Sequence, residues 1–166
     1  MNNQITNTAE HQIIKQVVSI WTAQNKVVTD FFSKHPDEVY AKEVAPGRNR
    51  AVYLFGHLIA ASDGMIPLLG LGERLYPQLE PVFLASPDNT SATMPSIPEL
   101  KEMWNTVNTK LTNHFNNMQP SDWLDRHTKV SPEDFAKEPH RNKLNILLSR
   151  TNHLSYHSGQ LNLLGK

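Results

Sequence analysis

Apolar residues recur at helical spacing along four long segments of this 166-residue chain, and no stretch shows the strict alternation that is typical of strands. The segments run from about Thr8 to Lys34, from about Asn49 to Leu69, from Ser96 to Met118 and from Arg141 to Leu164. A short helix is predicted from Ser131 to Lys137, because Pro132 follows a serine that can cap it. The pattern predicts an all-α four-helix bundle in which residues 1–166 form a single domain.

Local signals set the expected ends and buried faces of these helices. Asn49 is the expected N-cap of the second helix, Pro67 is expected to kink or end it, and Gly165 is the expected stop of the fourth. The predicted buried stripe of the first helix is Ile13, Val17, Ile20, Trp21, Val28 and Phe31. That of the fourth is Leu144, Leu147, Leu148, Thr151, Leu154, His157, Leu161 and Leu164. Trp21 and Trp104 are expected in the core.

A long segment separates the second helix from the third. It runs from Leu71 to Ile97 and contains Pro77, Pro81, Pro87 and Pro95. Connections of this length are uncommon in compact domains and often serve as crossovers or functional loops. The segment is long enough to span a bundle, so the second and third helices can run in the same direction.

Composition limits the classes of function. Lys plus Arg equals Asp plus Glu at 16 each, without long blocks of one sign, so the chain lacks the basic footprint of a nucleic-acid-binding protein. It contains no Cys, so any thiol chemistry requires a thiol supplied by a small molecule. The polar N-terminus does not resemble a signal peptide, and no apolar run of about 18 residues is expected to span a membrane. A cytoplasmic protein is the expectation.

Histidines on two helices suggest a metal site. His153 and His157 lie four residues apart in “NHLSYHSGQL”, so their side chains share one helix face and can chelate one ion. Leu154 occupies the position where the HExxH metalloprotease motif has its glutamate, which excludes that class. “GHLIAASD” in the second helix offers His57 as a third ligand.

The positions of these histidines along their helices can be compared. His57 lies roughly 12 Å from the start of the second helix, and the midpoint of the other two lies roughly 13.5 Å from the end of the fourth. These heights match only if the two helices are antiparallel, which requires the long crossover and an up-down-down-up order. The match favours a three-histidine site over the alternative of histidines satisfied within the core. His114 is a reserve ligand, and the remaining histidines, near helix ends or in loops, are expected to be solvated: His11, His35, His127 and His140.

At these residues the chain resembles the DinB/YfiT-like family of metalloenzymes. “PGRNRAVYLFGHLIAASD” is similar to the family's second helix, and “NHLSYHSGQL” matches its H-x3-H-x-G-Q-L pattern in the last helix. The resemblance covers nearly the whole chain and implies an up-down-down-up bundle, often a homodimer, with a divalent metal held by His57, His153 and His157. The family includes transferases that use bacillithiol or mycothiol, isomerases and hydrolases, so it predicts the site better than the reaction.

Such a site has several possible uses. Three neutral imidazoles suit Zn, Ni, Cu or Fe without choosing among them, and Zn or Ni is the expected metal. The ion can activate a water for hydrolysis or hold the thiolate of a low-molecular-weight thiol for attack on a small electrophilic substrate. Tyr53 shares the face of His57, and Gln160 follows His157 by three residues, so both are candidate catalytic residues. Asp63 is expected either to be solvated or capping, or to contact a substrate or a partner helix. A non-enzymatic metal-binding or stress-related bundle is the alternative to both reactions.

Overall fold

The protein is described by a computed structural model that covers residues 8–90 and 93–165. Within these ranges every regular element is helical, apart from two isolated β-bridges, so the all-α prediction is confirmed. The helices are α1 (Ala9–Lys34), α2 (Asp37–Tyr40), α3 (Ala51–Asp63), α4 (Met65–Leu68), α5 (Leu79–Phe83), α6 (Ile97–Asn117), α7 (Pro120–Leu124), α8 (Pro132–Lys137) and α9 (Lys143–Leu161), followed by a 3₁₀ turn at Asn162–Leu164. The four predicted long helices correspond to α1, α3 with α4, α6, and α9.

Capping side chains explain where most long helices begin. Thr8 accepts a hydrogen bond from the backbone of His11 at the start of α1, and Asn142 does the same for Asn145 at the start of α9. Ser96 and Glu99 form a reciprocal capping box on α6. Each bond satisfies a backbone N–H that has no partner inside its helix.

The start of α3 differs from the prediction. Asn49 is not its N-cap; Arg50 occupies that position and its side chain makes no cap bond. The backbone N–H of Arg50 instead donates to Asp88, a residue of the crossover segment, at 2.8 Å. A residue 38 positions away therefore secures this helix end, which a local sequence pattern cannot reveal.

The predicted disruption near Pro67 is present. The helix breaks between Asp63 and Met65, at Gly64, and resumes as α4. Because proline has no N–H, the carbonyl of Asp63, four residues earlier, loses its helical partner. The end of α9 also differs, because the α-helix stops at Leu161 and a 3₁₀ turn separates it from Gly165.

The predicted buried stripe of α1 is correct at Trp21, Val28 and Phe31 but wrong at Ile13 and Ile20. Ile13 and Ile20 are each 55% exposed, whereas Ile14 and Asn25 are buried beside the correctly predicted Trp21. Two stripes offset by about 100° fit the same apolar pattern, and packing against α9 and α6 selects the one that contains Ile14. On α9, Leu148 is likewise 43% exposed and lies outside the core, contrary to prediction. Trp21 and Trp104 are core residues as predicted.

Contacts between helices give their relative directions. Early in α1, Trp21 packs on Phe115 late in α6, and later in α1, Thr29 accepts a hydrogen bond from Trp104, so these helices are antiparallel. The segment 125–128 bonds both to Leu68, after α3, and to Lys143, which begins α9. Since His57 meets the C-terminal half of α9, α3 and α9 are antiparallel too. An up-down-up-down bundle would make both pairs parallel, so these orientations agree with the predicted order.

One stretch has the length and composition of a membrane span, contrary to the expectation that none exists. Ala51–Leu68 has a mean hydropathy of 1.3, and 83% of it is buried inside the protein. The signal is weak, since the core helix of a bundle passes the same test. Burial on nearly every side accounts for the apolar composition of α3.

Candidate metal centre

Three histidine side chains from α3 and α9 converge on one point. The Nε2 atom of His153 lies 2.9 Å from Nε2 of His57 and 3.0 Å from Nε2 of His157. The three residues form a group able to hold a metal ion, with ligand atoms all within 4.8 Å of one another. The sequence prediction that these residues meet is thus correct, and the heights estimated along the two helices are compatible with it.

Hydrogen bonds at the opposite ring nitrogens orient two of these imidazoles. His57 Nδ1 lies 2.8 Å from the carbonyl oxygen of Phe83, and His157 Nδ1 lies 2.7 Å from Oε1 of Gln160. A carbonyl oxygen only accepts, so in both rings Nδ1 carries the proton and donates it. The Nε2 lone pairs of His57 and His157 are therefore directed at the common point, which is the tautomer that metal ligation requires.

The chemistry of the donor set fits a cation. In a tetrahedral zinc site with Zn–N bonds of about 2.0–2.1 Å, neighbouring ligand nitrogens are about 3.3 Å apart, close to the distances observed between the three Nε2 atoms. A proton on His153 Nε2 can fully bond only one of the two lone pairs that face it. A divalent ion, in contrast, can bind the Nε2 lone pairs of all three histidines.

Burial favours the neutral form of two of these imidazoles, those of His153 and His157. It lowers the pKa of His153 to about 4, with smaller contributions from the neighbouring His157, His57 and Arg150. Burial also lowers the pKa of His157, although the hydrogen bond to Gln160 acts in the opposite direction. Protons therefore compete weakly for these nitrogens at neutral pH, which favours metal binding.

The crossover segment supports the His57 side of the site. Phe83 packs directly against Gly56, where any Cβ would clash with its ring. This close approach brings the Phe83 carbonyl within reach of His57. The sequence does not reveal this partner, because a backbone carbonyl carries no residue-specific signal.

Two further residues of α3 hold the same segment. The Tyr53 hydroxyl donates to the Ser86 carbonyl at 2.5 Å, and the guanidinium of Arg50 forms an ion pair with Asp88 at 2.6 Å. Together with His57, these side chains occur one or two turns apart along one face of α3. The helix thus binds the segment 83–88 through a continuous row of polar contacts.

The two predicted catalytic residues occupy different positions in the site. Gln160 contacts a candidate ligand directly, as the acceptor for His157. Tyr53 is buried, and its ring is stacked 6.4 Å from that of His57. Burial, followed by the charge of Asp88, raises the pKa of Tyr53, so its hydroxyl remains a hydrogen-bond donor at neutral pH. Catalytic roles for both residues stay predictions.

Asp63 is not solvated. It is completely buried, and its carboxylate accepts hydrogen bonds from the backbones of Leu75 at 2.8 Å and Tyr76 at 3.0 Å. The solvated alternative is therefore wrong. Asp63 fixes the loop that follows α4, immediately after Arg74.

A cavity of about 460 Å³ opens beside the histidines, and His57 and His153 form part of its wall. Three basic residues also line it: Arg74, Lys129 and Arg150. The sequence predictions include none of them. The sequence could have indicated Arg150 as a lining residue, since it precedes His153 by three residues and so shares its helix face. Arg74 and Lys129 come from loops, where periodicity gives no guidance.

The other histidines do not join the group. His114, the reserve ligand, lines a separate groove on α6 with Asn113 and Asn117. Contrary to expectation, His11, His35 and His127 are half-buried rather than solvated. The ring of His35 packs on Phe31, and burial lowers the pKa of His127.

A scan against protein-family models finds none that matches the chain, and a search of curated proteins finds no significant match either.

Proposed function

We propose that this chain is a metal-dependent enzyme of the DinB/YfiT-like type, which joins a whole low-molecular-weight thiol, through its sulfur, to a small electrophile. The observation that carries the proposal is the convergence of three Nε2 atoms, two of them oriented by Nδ1 hydrogen bonds, at the wall of a cavity. The sequence motifs around His57 and His157 support the family assignment.

The proposed roles follow from the site. His57, His153 and His157 hold a divalent ion, with Zn or Ni as the expected metal. When bound, that ion supplies a nucleophile at neutral pH by lowering the pKa of a thiol or water. Phe83 and Gln160 keep the imidazoles in the ligating tautomer, and the cavity receives the electrophile. In the transfer a carbon–sulfur bond forms, the leaving group departs with its electron pair, and the thiol proton passes to solvent.

Metal-dependent turnover tests the reaction. Protein loaded with Zn or Ni is incubated with bacillithiol, mycothiol or glutathione and with monobromobimane, and the fluorescent thioether is measured above the uncatalysed rate. We expect thiol transfer that is lost on chelation and reduced at least 100-fold in His153→Ala. The matched control is His140→Ala, an exposed histidine outside the site.

Parallel assays distinguish the alternative functions. Metal-dependent cleavage of p-nitrophenyl esters without any thiol would favour the hydrolase over the transferase. Metal binding without turnover in either assay would contradict the enzyme proposal and favour a non-enzymatic metal-binding bundle.

A further inference from the structure

The cavity beside the three histidines has an unbalanced charge. Its lining includes Arg74, Lys129 and Arg150, and Glu80 is the one acidic residue among the lining residues that the structure describes. Glu80 forms an ion pair with Arg74 at 3.3 Å. The charges of Lys129 and Arg150 are therefore left without an acidic counterpart in the cavity wall, even before a divalent cation is added.

Arg150 is the most informative of these residues. It is half-buried, and within residues 8–90 and 93–165 its buried Nε has no hydrogen-bond partner. Burial and the charge of Arg74 both lower its pKa, which shows that its surroundings disfavour a cation. Even a half-buried guanidinium is destabilised when no anion lies beside it. Such a cost is tolerated where a ligand supplies the missing negative charge.

Arg74, which also lines the cavity, is held in place by its neighbours. One of its nitrogens donates to the Ala60 carbonyl at 3.3 Å, while Asp63 fixes the backbone of the next two residues. A Cβ on Gly64 would lie 3.1 Å from the guanidinium, so the glycine provides the room in which Arg74 lies. This part of the wall is therefore preorganised, with the Arg74 guanidinium held by the Ala60 carbonyl and by Glu80.

We infer that the cavity binds an oxyanion, a carboxylate or phosphate group carried by a small molecule, with Arg150 as its principal partner and Lys129 and Arg74 as supporting charges. A guanidinium matches the two oxygens of such a group with paired hydrogen bonds. The cavity, at about 460 Å³, lies within the range of small-molecule sites.

The position of this subsite extends the proposed function. Arg150 is one turn from His153 on α9, and both residues line the cavity. An anion bound by Arg150 would therefore place the rest of its molecule next to the histidines. The inference that the substrate of the enzyme is anionic rests on the proposed function; the binding of the anion does not.

Anion binding to the metal-free protein tests the inference. Succinate and inorganic phosphate are the probes, titrated by calorimetry at constant ionic strength against chloride. We expect at least one to bind, and at least tenfold more weakly to Arg150→Gln. Lys129→Gln, an exposed position that cannot disturb folding, should weaken binding about two- to fivefold. Arg48→Gln, an exposed arginine outside the cavity, should bind as the unaltered protein does. Comparing the probes shows whether carboxylate or phosphate is preferred.

The outcomes separate this inference from the metal proposal. Absence of binding by both probes, or equal binding by Arg150→Gln and Arg48→Gln, would overturn it. So would a loss of folding in Arg150→Gln combined with unchanged binding in Lys129→Gln, because Arg150 would then be structural. If the anion binds through Arg150 while the protein takes up no metal, the subsite stands and the proposed reaction fails.

Discussion

Each histidine of the cluster is oriented differently. His57 is hydrogen-bonded to a backbone carbonyl and His157 to a side-chain amide. His153 lies between them, and burial lowers its pKa to about 4. A substitution cannot remove the Phe83 backbone carbonyl, but it can remove the side-chain amide of Gln160. Gln160 is therefore the residue at which the orientation of a ligand can be tested without removing the ligand.

Gln160→Ala should weaken metal binding by about 10–100-fold, because the His157 imidazole loses the acceptor that fixes its tautomer. Fold stability should change little, since Gln160 is only half-buried. Competition with a metal-binding dye measures the affinity, and Gln16→Ala, at an exposed position of α1, is the control. Equal metal affinity in the two variants would show that this hydrogen bond does not orient the ligand.

The element that most affects the site is the crossover segment bound along α3. Arg50, Tyr53 and His57 each bond to a residue of the segment 83–88. The Asp88 side chain is only 5% exposed. Although burial alone would raise the pKa of Asp88, the hydrogen bonds from Arg50 and Asn89 outweigh it and lower that pKa.

Asp88→Asn should lower the free energy of unfolding by about 3 kcal/mol at pH 7, because it leaves Arg50 with a partly buried, unpaired charge. The contribution of Asp88 is fully present above its unfolded pKa, near 3.8, and is lost as the pH falls through the lowered folded value. The difference between the two proteins should therefore be constant from pH 7 to 5 and shrink below about pH 4.

Urea denaturation across this pH range measures the effect. Glu133→Gln, at an exposed acid of α8, should differ little from the unaltered protein. A difference for Asp88→Asn that is small at pH 7, or that does not change in acid, would contradict the role assigned to this ion pair.

The sequence predicts some elements well and others poorly, for physical reasons. Long periodic helices and the shared height of His57 and His157 follow from local geometry, which a sequence displays directly. The Phe83 carbonyl and the cap from Asp88 depend on a crossover that folds back onto α3, and no local pattern describes that return. The prediction that Ile13 lies on the buried face of α1 is wrong, because the apolar pattern is compatible with two rotations of the helix.

At the scale of the whole molecule, folding creates a low-dielectric pocket around histidines that the unfolded chain exposes. The pKa of His153 falls from 6.5 to about 4 on folding. Between these values the unfolded chain binds more protons than the folded one. This contribution to stability is complete above about pH 6.5 and is lost as the pH falls toward 4.

The metal-free protein should therefore lose on the order of 3 kcal/mol of unfolding free energy between pH 7 and 4 through His153. In His153→Gln this part of the pH dependence should be absent, whereas the exposed His140→Gln should retain it. Urea denaturation at pH values from 7 to 4.5 provides the measurement. Identical pH profiles for His153→Gln and the unaltered protein would show that His153 is not buried as a neutral imidazole.

Two predictions about the whole molecule stay predictions, namely the homodimer and the cytoplasmic location. Ile13 and Ile20 on α1 face solvent one above the other. The oligomeric state can be measured by light scattering without reference to the site.

The central claim is that His57, His153 and His157 together bind one divalent metal ion. Elemental analysis of protein purified without a histidine tag tests it most directly, combined with thermal melting before and after chelation. We predict close to one Zn or Ni per chain, a melting temperature that falls on chelation and recovers on re-addition, and loss of both properties in His157→Ala. A chain that holds no stoichiometric metal, with metal uptake and melting unchanged in His157→Ala, would contradict the claim.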